Sequence, residues 1–137
     1  MTRINLVVPA ELSDQHLVAE YREIFMVGSS LQRSLKSKNW EKTLANIPKK
    51  YTLNKGHVTF FYNKGKYLYK RYDSLVEEMK KRGMNPDPER RFKTEQWPKE
   101  LFKDWEPESK DYEVIRARIQ EKIEMKPEWY RFTKNKT

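Results

Sequence analysis

Cysteine is absent from this chain of 137 residues, and only two histidines are present. The lack of cysteine excludes disulfides, thiolate catalysis and cysteine-based metal sites. His16 and His57 are too far apart in sequence to form a zinc motif, so we expect no metal and no other cofactor. No apolar run is long enough to span a membrane, and the N-terminus lacks the features of a signal peptide. The sequence therefore predicts an intracellular protein with no membrane span.

Positive charge, by contrast, is abundant. The chain has 29 Lys and Arg against 20 Asp and Glu, a net charge of +9, and a pI near 9.6. Residues 31–82 hold 14 basic and 4 acidic side chains, and we call this stretch the basic band. Such a balance favours a polyanionic partner, which is most often nucleic acid, with an anionic membrane surface as the alternative. The length fits a single domain over residues 1–137.

Three stretches repeat apolar residues with the helical period, at about residues 13–35, 64–82 and 109–125. Gly83 follows the second where a left-handed residue commonly ends a helix, and Pro127 ends the third. The segment "HVTFFY" has the composition of a strand. Since no partner strand is evident, we interpret it as a buried lead-in to the second helix. The sequence thus predicts an all-α, compact domain of three main helices with long loops.

The first residues and the first helix offer a pair of reactive groups. If Met1 is removed, Thr2 presents an α-amine whose reference pKa is about 7.7–8.0, against about 10.4 for lysine. Threonine is small enough for that removal, which we expect. Glu23 lies on the face of the first helix opposite the apolar stripe, as one candidate acid or base. The alternative is that "EYRE" is an ordinary solvated face with local ion pairs.

Cations and aromatic residues recur near the C-terminus. Arg118 and Lys122 are four residues apart, so they stand on one side of the third helix. They fit either phosphate contacts or aliphatic stems that cover apolar surface. Trp129 and Tyr130 precede Arg131 in "EWYRF", which suits packing of the tail onto the core or stacking against nucleic-acid bases.

Taken together, these stretches resemble one family, the pyrimidine-dimer DNA glycosylase/AP lyases typified by the UV-repair enzyme bacteriophage endonuclease V. The matching stretches are "MTRINLV", "ELSDQHLVAEYREI", "KGHVTFFY", "YDSLVEEMKKRG", "ARIQEKI" and "PEWYRF", in that order along the chain. The resemblance implies a largely helical DNA repair protein that acts as a monomer on double-stranded DNA containing UV photoproducts or abasic sites. It implies that the N-terminal amine attacks C1′ at a cyclobutane pyrimidine dimer, that a Schiff base forms, and that β-elimination nicks the strand.

The resemblance also implies roles for individual residues. Thr2 is the implied nucleophile and Glu23 the implied essential carboxylate. The implied DNA-binding residues are Arg3, Gln15, His16, Arg22, Arg118, Lys122, Trp129, Tyr130 and Arg131.

Two positions depart from the family pattern, and several alternatives stay open. Met26 and Gln32 stand where the family has basic residues, so the lesion range is open to change. One alternative is the same mechanism on another lesion, such as a ring-opened purine. A second is a non-catalytic DNA-binding protein of the same fold, and a third is an RNA-binding factor. The connector at residues 84–109 either covers the core or touches DNA.

Overall fold

The computed structural model describes residues 3–134, and in that range it contains helices and no strand. The all-α prediction is therefore confirmed. The α-helices are α1 (Asp14–Glu23), α2 (Phe25–Leu35), α3 (Trp40–Ala45), α4 (His57–Phe60), α5 (Gly65–Lys81) and α6 (Ser109–Met125). Short 3-10 helices lie at Pro9–Glu11, Phe61–Asn63, Thr94–Gln96 and Lys99–Leu101. None of the helices between residues 3 and 134 is long and apolar enough to cross a membrane.

The first predicted helix, residues 13–35, is divided into two. Ser13 caps α1, because its side-chain oxygen accepts a hydrogen bond from the His16 amide at 3.1 Å. The apolar stripe runs on from α1 into α2 as predicted, and its largest members are fully buried in the core. The division comes at Ile24, which separates the two helices in the chain.

A side chain from the connector packs against residues on both sides of that division. The Arg90 guanidinium carbon lies 4.4 Å and 4.3 Å from the ring centroids of Tyr21 and Phe25, one on each side of Ile24. Its Nη2 donates a hydrogen bond of 2.8 Å to the Arg22 carbonyl, in the last turn of α1. The helical period alone carries no sign of a partner 68 residues away.

The segment "HVTFFY" forms α4 and the 3-10 turn after it, directly before α5. His57, Phe60 and Phe61 are almost fully buried there, so the interpretation as a buried lead-in is confirmed. α5 lies within one residue of its predicted bounds at each end. Gly83 has a φ of 82°, the left-handed conformation predicted for the position after this helix.

The connector covers the core, which was one of the two alternatives for it. Phe92, Trp97 and Leu101 are buried. At Gly65 an added Cβ would lie only 2.7 Å from two atoms of the Trp97 ring, so the connector approaches α5 where only glycine fits. At Gly28 an added Cβ would lie 2.5 Å from a side-chain oxygen of the connector, the end of a flexible group.

α6 has the bounds that the sequence predicts. Glu108 and Asp111 form a capping box at its start, and Pro127 follows its last residues. Ile115 is fully buried, and Ile119 packs against the core beside it. This face packs α6 onto the core next to α1. Both helices line the cavity described next.

Candidate active site

The N-terminal arm, residues 3–8, is held by side chains rather than by regular backbone pairing. The Ile4 amide donates to His57 Nε2 at 2.9 Å, and the Ile4 carbonyl accepts from the Tyr51 hydroxyl at 2.8 Å. Leu6 has a φ of 57°, in the left-handed region where non-glycine residues are uncommon. The arm thus turns sharply, and Ile4 is completely buried beneath α1.

His57 can hold the arm only as a neutral ring. Its Nδ1 lies 2.8 Å from the Thr52 carbonyl, so Nδ1 carries the proton and Nε2 accepts from Ile4. Burial lowers the pKa of His57, and the charge of Arg3 acts in the same direction. The hydrogen bond to Thr52 and the charge of Glu20 oppose this shift without reversing it. The neutral ring is therefore the form that the fold selects.

A buried ion pair anchors the next residues of the arm. Arg71 Nε and Nη2 donate to the two Glu20 oxygens at 2.7 Å and 3.0 Å, and the side chains are only 5% and 0% exposed. Glu20 Oε1 also accepts from the Asn5 backbone amide at 3.1 Å and its Nδ2 at 2.9 Å. Arg71 Nη1 donates to the carbonyls of Leu6 and Val7. Burial alone would lower the pKa of Arg71, but the charge of Glu20 and the hydrogen bonds to it, with smaller contributions from two tyrosines, together raise the pKa.

A cavity of about 400 Å³ opens beside this anchor. It is bounded by the arm, by α1, by α6 and by the segment after α6. Its lining residues are Arg3, Asn5, Gln15, His16, Ala19, Glu20, Glu23, Ile115, Arg118, Ile119, Lys122, Trp129 and Tyr130. Eight of the eleven residues predicted for the site line it together, although they come from opposite ends of the chain.

The cavity places one accessible carboxylate among three cations. Glu23 is half-buried on α1, and Arg3, Arg118 and Lys122 share the cavity with it. Burial, followed by the charge of Arg118, lowers the pKa of the Arg3 guanidinium, while Glu23 and Tyr51 act in the opposite direction. Burial and a neighbouring like charge would both disfavour a further cation beside Arg3.

The two cations of α6 reach the cavity from the edge of the Ile115 stripe. The Arg118 side chain is 34% exposed, and its Nη1 lies 3.3 Å from Glu121 Oε1, three residues along the helix. Lys122 is half-buried one turn further on. Both cations are partly exposed, and the ion pair that Arg118 forms within α6 is weak. The two positive charges therefore remain available to another partner.

Aromatic residues of the tail, residues 129–134, form the remaining side of the cavity. The Tyr130 ring stacks on His16, with centroids 4.9 Å apart and planes inclined by 5°. The Trp129 ring meets Tyr130 edge-on at 4.9 Å. His16 Nδ1 lies 2.8 Å from Ser13 Oγ, and burial lowers the pKa of His16. Trp129 is nonetheless 56% exposed, so the cavity keeps an open aromatic rim.

Two predicted site residues that the structure describes, Arg22 and Arg131, do not line the cavity, and a third is not described. Thr2 lies outside the described residues. Arg22 is exposed on α1, and its carbonyl binds Arg90. Arg131 is exposed, and its backbone rather than its guanidinium makes the recorded contacts with α1. The predicted DNA contacts of Arg22 and Arg131 stay predictions.

The two departures from the family pattern fall outside this cavity as well. Met26 is 52% exposed in the first turn of α2. Gln32 lies further along α2, and its side-chain amide donates to the Gln96 carbonyl in the connector. Gln32 therefore contributes to holding the connector against α2.

Sequence reasoning missed the anchor itself. Glu20 belongs to "EYRE", for which a solvated face was the simple interpretation, and that interpretation is wrong for Glu20. A signal was present: Glu20 follows Leu17 by three residues and Arg71 follows Leu68 by three. This spacing places an acid and a base on the buried sides of two helices. The periodicity did not show that the two helices meet.

A family model described as pyrimidine dimer DNA glycosylase matches residues 1–92, which is more than half of the chain. The chain therefore belongs to the pyrimidine dimer DNA glycosylase family, as the sequence motifs predicted. This membership identifies it as a DNA repair glycosylase with DNA as its substrate. The match includes the arm, α1 and α5, whereas α6 and the tail lie beyond it, so the structure is what joins them to the same cavity.

Between residues 3 and 134, no group of three or more His, Asp or Glu side chains is arranged to hold a metal ion. The expectation of a reaction without metal or cofactor stays a prediction. The chemistry available from the described lining of the cavity is that of a carboxylate and several cations.

Proposed function

We propose that the protein is a bifunctional glycosylase and AP lyase that acts on cyclobutane pyrimidine dimers in double-stranded DNA. The observation that carries the proposal is the position of Arg3 and Glu23 in one cavity. Thr2 is the residue before Arg3, and one residue extends a chain by at most about 3.6 Å. The α-amine of Thr2 is therefore within reach of the cavity that contains Glu23.

The first step replaces the glycosidic bond. The unprotonated amine of Thr2 attacks C1′, the bond from C1′ to the base nitrogen breaks, and the electron pair leaves with the base, which takes up a proton. Only an amine leads on to the next step, because its product opens to an iminium. Burial, followed by the charge of Arg118, lowers the pKa of Arg3, and the same two causes would favour the neutral amine of Thr2.

The second step breaks the strand. The iminium makes the C2′ proton acidic, and loss of that proton expels the 3′ phosphate oxygen by β-elimination. Water then hydrolyses the Schiff base and frees the amine. Glu23 is the carboxylate placed to stabilise positive charge on the sugar in the first step and to move the C2′ proton in the second.

DNA binding is supported by the charge of the chain and of the cavity. Arg118 and Lys122 supply phosphate contacts beside the site, and the basic band adds binding that is independent of sequence and sensitive to salt. A cavity of about 400 Å³ falls within the range of about 300–1,000 Å³ for small-molecule sites. This is the size class for one extruded nucleotide, and damaged, poorly stacked bases are the least costly to extrude. The enzyme works as a monomer in this proposal.

The test is reductive trapping with borohydride on a duplex that carries one cis-syn thymine dimer, using protein shown by mass to lack Met1. An adduct mapped to the amine of Thr2 is expected. An adduct formed only on abasic DNA would retain the lyase step and mean that the glycosylase step acts on another lesion, such as a ring-opened purine. The absence of an adduct on either duplex would refute the proposed enzymatic activity and leave the alternative of a DNA-binding protein.

Lys64 is the amine against which this mapping must discriminate. Burial lowers its pKa to about 8. Its Nζ donates to the Phe60 carbonyl at 2.9 Å and to Asn63 Oδ1 at 2.8 Å. It is not among the residues that line the cavity. A Thr2→Pro variant keeps a secondary amine at the terminus and leaves Lys64 unchanged, so the residue to which its adduct maps, rather than the survival of trapping, decides between the two amines.

Glu23→Gln tests the carboxylate. We expect it to bind dimer DNA with unchanged affinity and to release base at least about a hundredfold more slowly, the usual range for loss of an acid–base group. Glu113→Gln is the matched control, because Glu113 is an exposed glutamate of α6 and does not line the cavity. Near-normal base release by Glu23→Gln would remove Glu23 from the mechanism.

A further inference from the structure

The tail lies along the first turn of α1 and is bound there mainly through its backbone. The Asp14 amide donates to the Arg131 carbonyl at 2.6 Å. The Asp14 carboxylate accepts from the Thr133 backbone amide at 3.1 Å and from the Thr133 hydroxyl at 2.5 Å. Asp14 and Thr133 are 119 positions apart, so this is a tertiary contact and not a local turn.

Asp14 is itself fixed from the core side. Arg82 Nη1 donates to Asp14 Oδ1 at 2.9 Å, and the Arg82 side chain is only 2% exposed. Partial burial by itself raises the pKa of Asp14. The hydrogen bonds from Thr133 and Arg82 outweigh it, so the pKa lies below its usual value. Asp14 is therefore an ionised, rigidly held acceptor for the tail at neutral pH.

Gln15 uses both ends of its side-chain amide on the same segment. Its Nε2 donates to the Trp129 carbonyl at 2.6 Å, and its Oε1 accepts from the Arg131 amide at 3.0 Å. Tyr130, the residue between them, is thereby directed at α1, where its ring stacks on His16. One of the two N–H groups of the amide and one lone pair of its oxygen are thus used to hold the tail.

We infer that Gln15 is a positioning residue, which with Asp14 holds the tail so that Trp129 and Tyr130 form the aromatic side of the cavity. This inference rests on the proposed function, and it replaces the direct DNA contact that the family resemblance implied for Gln15. Gln15 acts on lesion recognition only through the tail. After Pro127 the chain has left α6, so this contact with α1 is what orients the two rings.

A double-mutant cycle separates the two roles. Dissociation constants for a thymine-dimer duplex are measured for the wild type, Gln15→Ala, Tyr130→Ala and the double variant, all as full-length protein. We expect Gln15→Ala to weaken binding about fivefold to tenfold, the range for one or two hydrogen bonds. In the Tyr130→Ala background the same change should cost less than about twofold. If the factors by which the two single substitutions raise the dissociation constant simply multiply in the double variant, Gln15 contacts DNA directly and the inference is overturned.

A second measurement needs no DNA. Trypsin cleaves after Arg131, within the segment that Gln15 binds, so Gln15→Ala should be cut there about fivefold to tenfold faster than the wild type. Gln120→Ala is the matched control, since Gln120 is exposed on α6 and bonds only within that helix. An unchanged rate for Gln15→Ala would refute the inference. A wild type that binds dimer and undamaged DNA equally would instead refute the proposed function.

Discussion

Replacement of Glu20 by glutamine removes the charge of the anchor while keeping its shape. Arg71 then remains buried with no counter-charge, and one of its N–H groups faces the new amide N–H₂. Removal of one partner of a buried ion pair typically costs about 3–5 kcal/mol, out of a total stability of about 5–15 kcal/mol. For a chain of this length that corresponds to a melting temperature lower by about 10–15 °C.

Differential scanning calorimetry measures this shift, with Glu77→Gln as the control because Glu77 is exposed on α5. The variant that replaces both Glu20 and Arg71 by methionine should regain only part of the lost stability, because apolar residues can replace a buried pair but cannot bind the polar groups of the arm. It should not regain borohydride trapping, because the amide of Asn5 and two carbonyls of the arm lose their partners. A melting temperature within about 2 °C of the wild type for Glu20→Gln, or full trapping by the double variant, would refute this account of the anchor.

Three further outcomes follow from the contacts. The pKa of each histidine is lowered by burial, so the free energy of unfolding should fall as the pH drops below about 6.5, where the unfolded chain begins to bind more protons. Urea denaturation between pH 5 and pH 8 measures this, and a flat profile would contradict a neutral His57. Gly65→Ala should lower the free energy of unfolding by about 1–3 kcal/mol, because the added Cβ meets an aromatic ring. In Gly28→Ala the added Cβ meets the movable end of a side chain, so the loss of free energy in the same assay should be smaller. Arg118→Ala should lower the slope of log K against log salt by about 0.9, one phosphate contact, and an unchanged slope would make Arg118 a packing residue.

The sequence predicted those parts of the fold that depend on neighbours along the chain. The bounds of α6 followed from its period and Pro127, both of which are local signals. The division at Ile24 did not follow from the helical period, and neither did the contact of Arg90 with α1, which comes from the distant connector. Helical period also identified α5 to within one residue at each end.

The candidate site shows the same limit. Motif order predicted that residues from α1, α6 and the tail belong to one site, and the cavity brings eight of them together. The function of Glu20 and Arg71 could not be predicted from charge alone, since each lies in a charged stretch that is typical of an exposed helix. Their burial results from the meeting of two helices, which no single-helix pattern contains. Gln15 illustrates the converse case, in which the position was predicted and its contacts were not.

The separation in sequence of the contacts around the cavity has a consequence for folding kinetics. The helices themselves form from local contacts, which is the rapid part of folding. The contacts that complete the cavity are distant: Leu6 with Arg71 is 65 residues apart, and Asp14 with Thr133 is 119. Closing loops of that length lowers the entropy of the chain before the new contacts stabilise the fold. Helical signal should therefore recover first after dilution from denaturant, and the ability to bind damaged DNA should return later, when arm and tail have both reached α1.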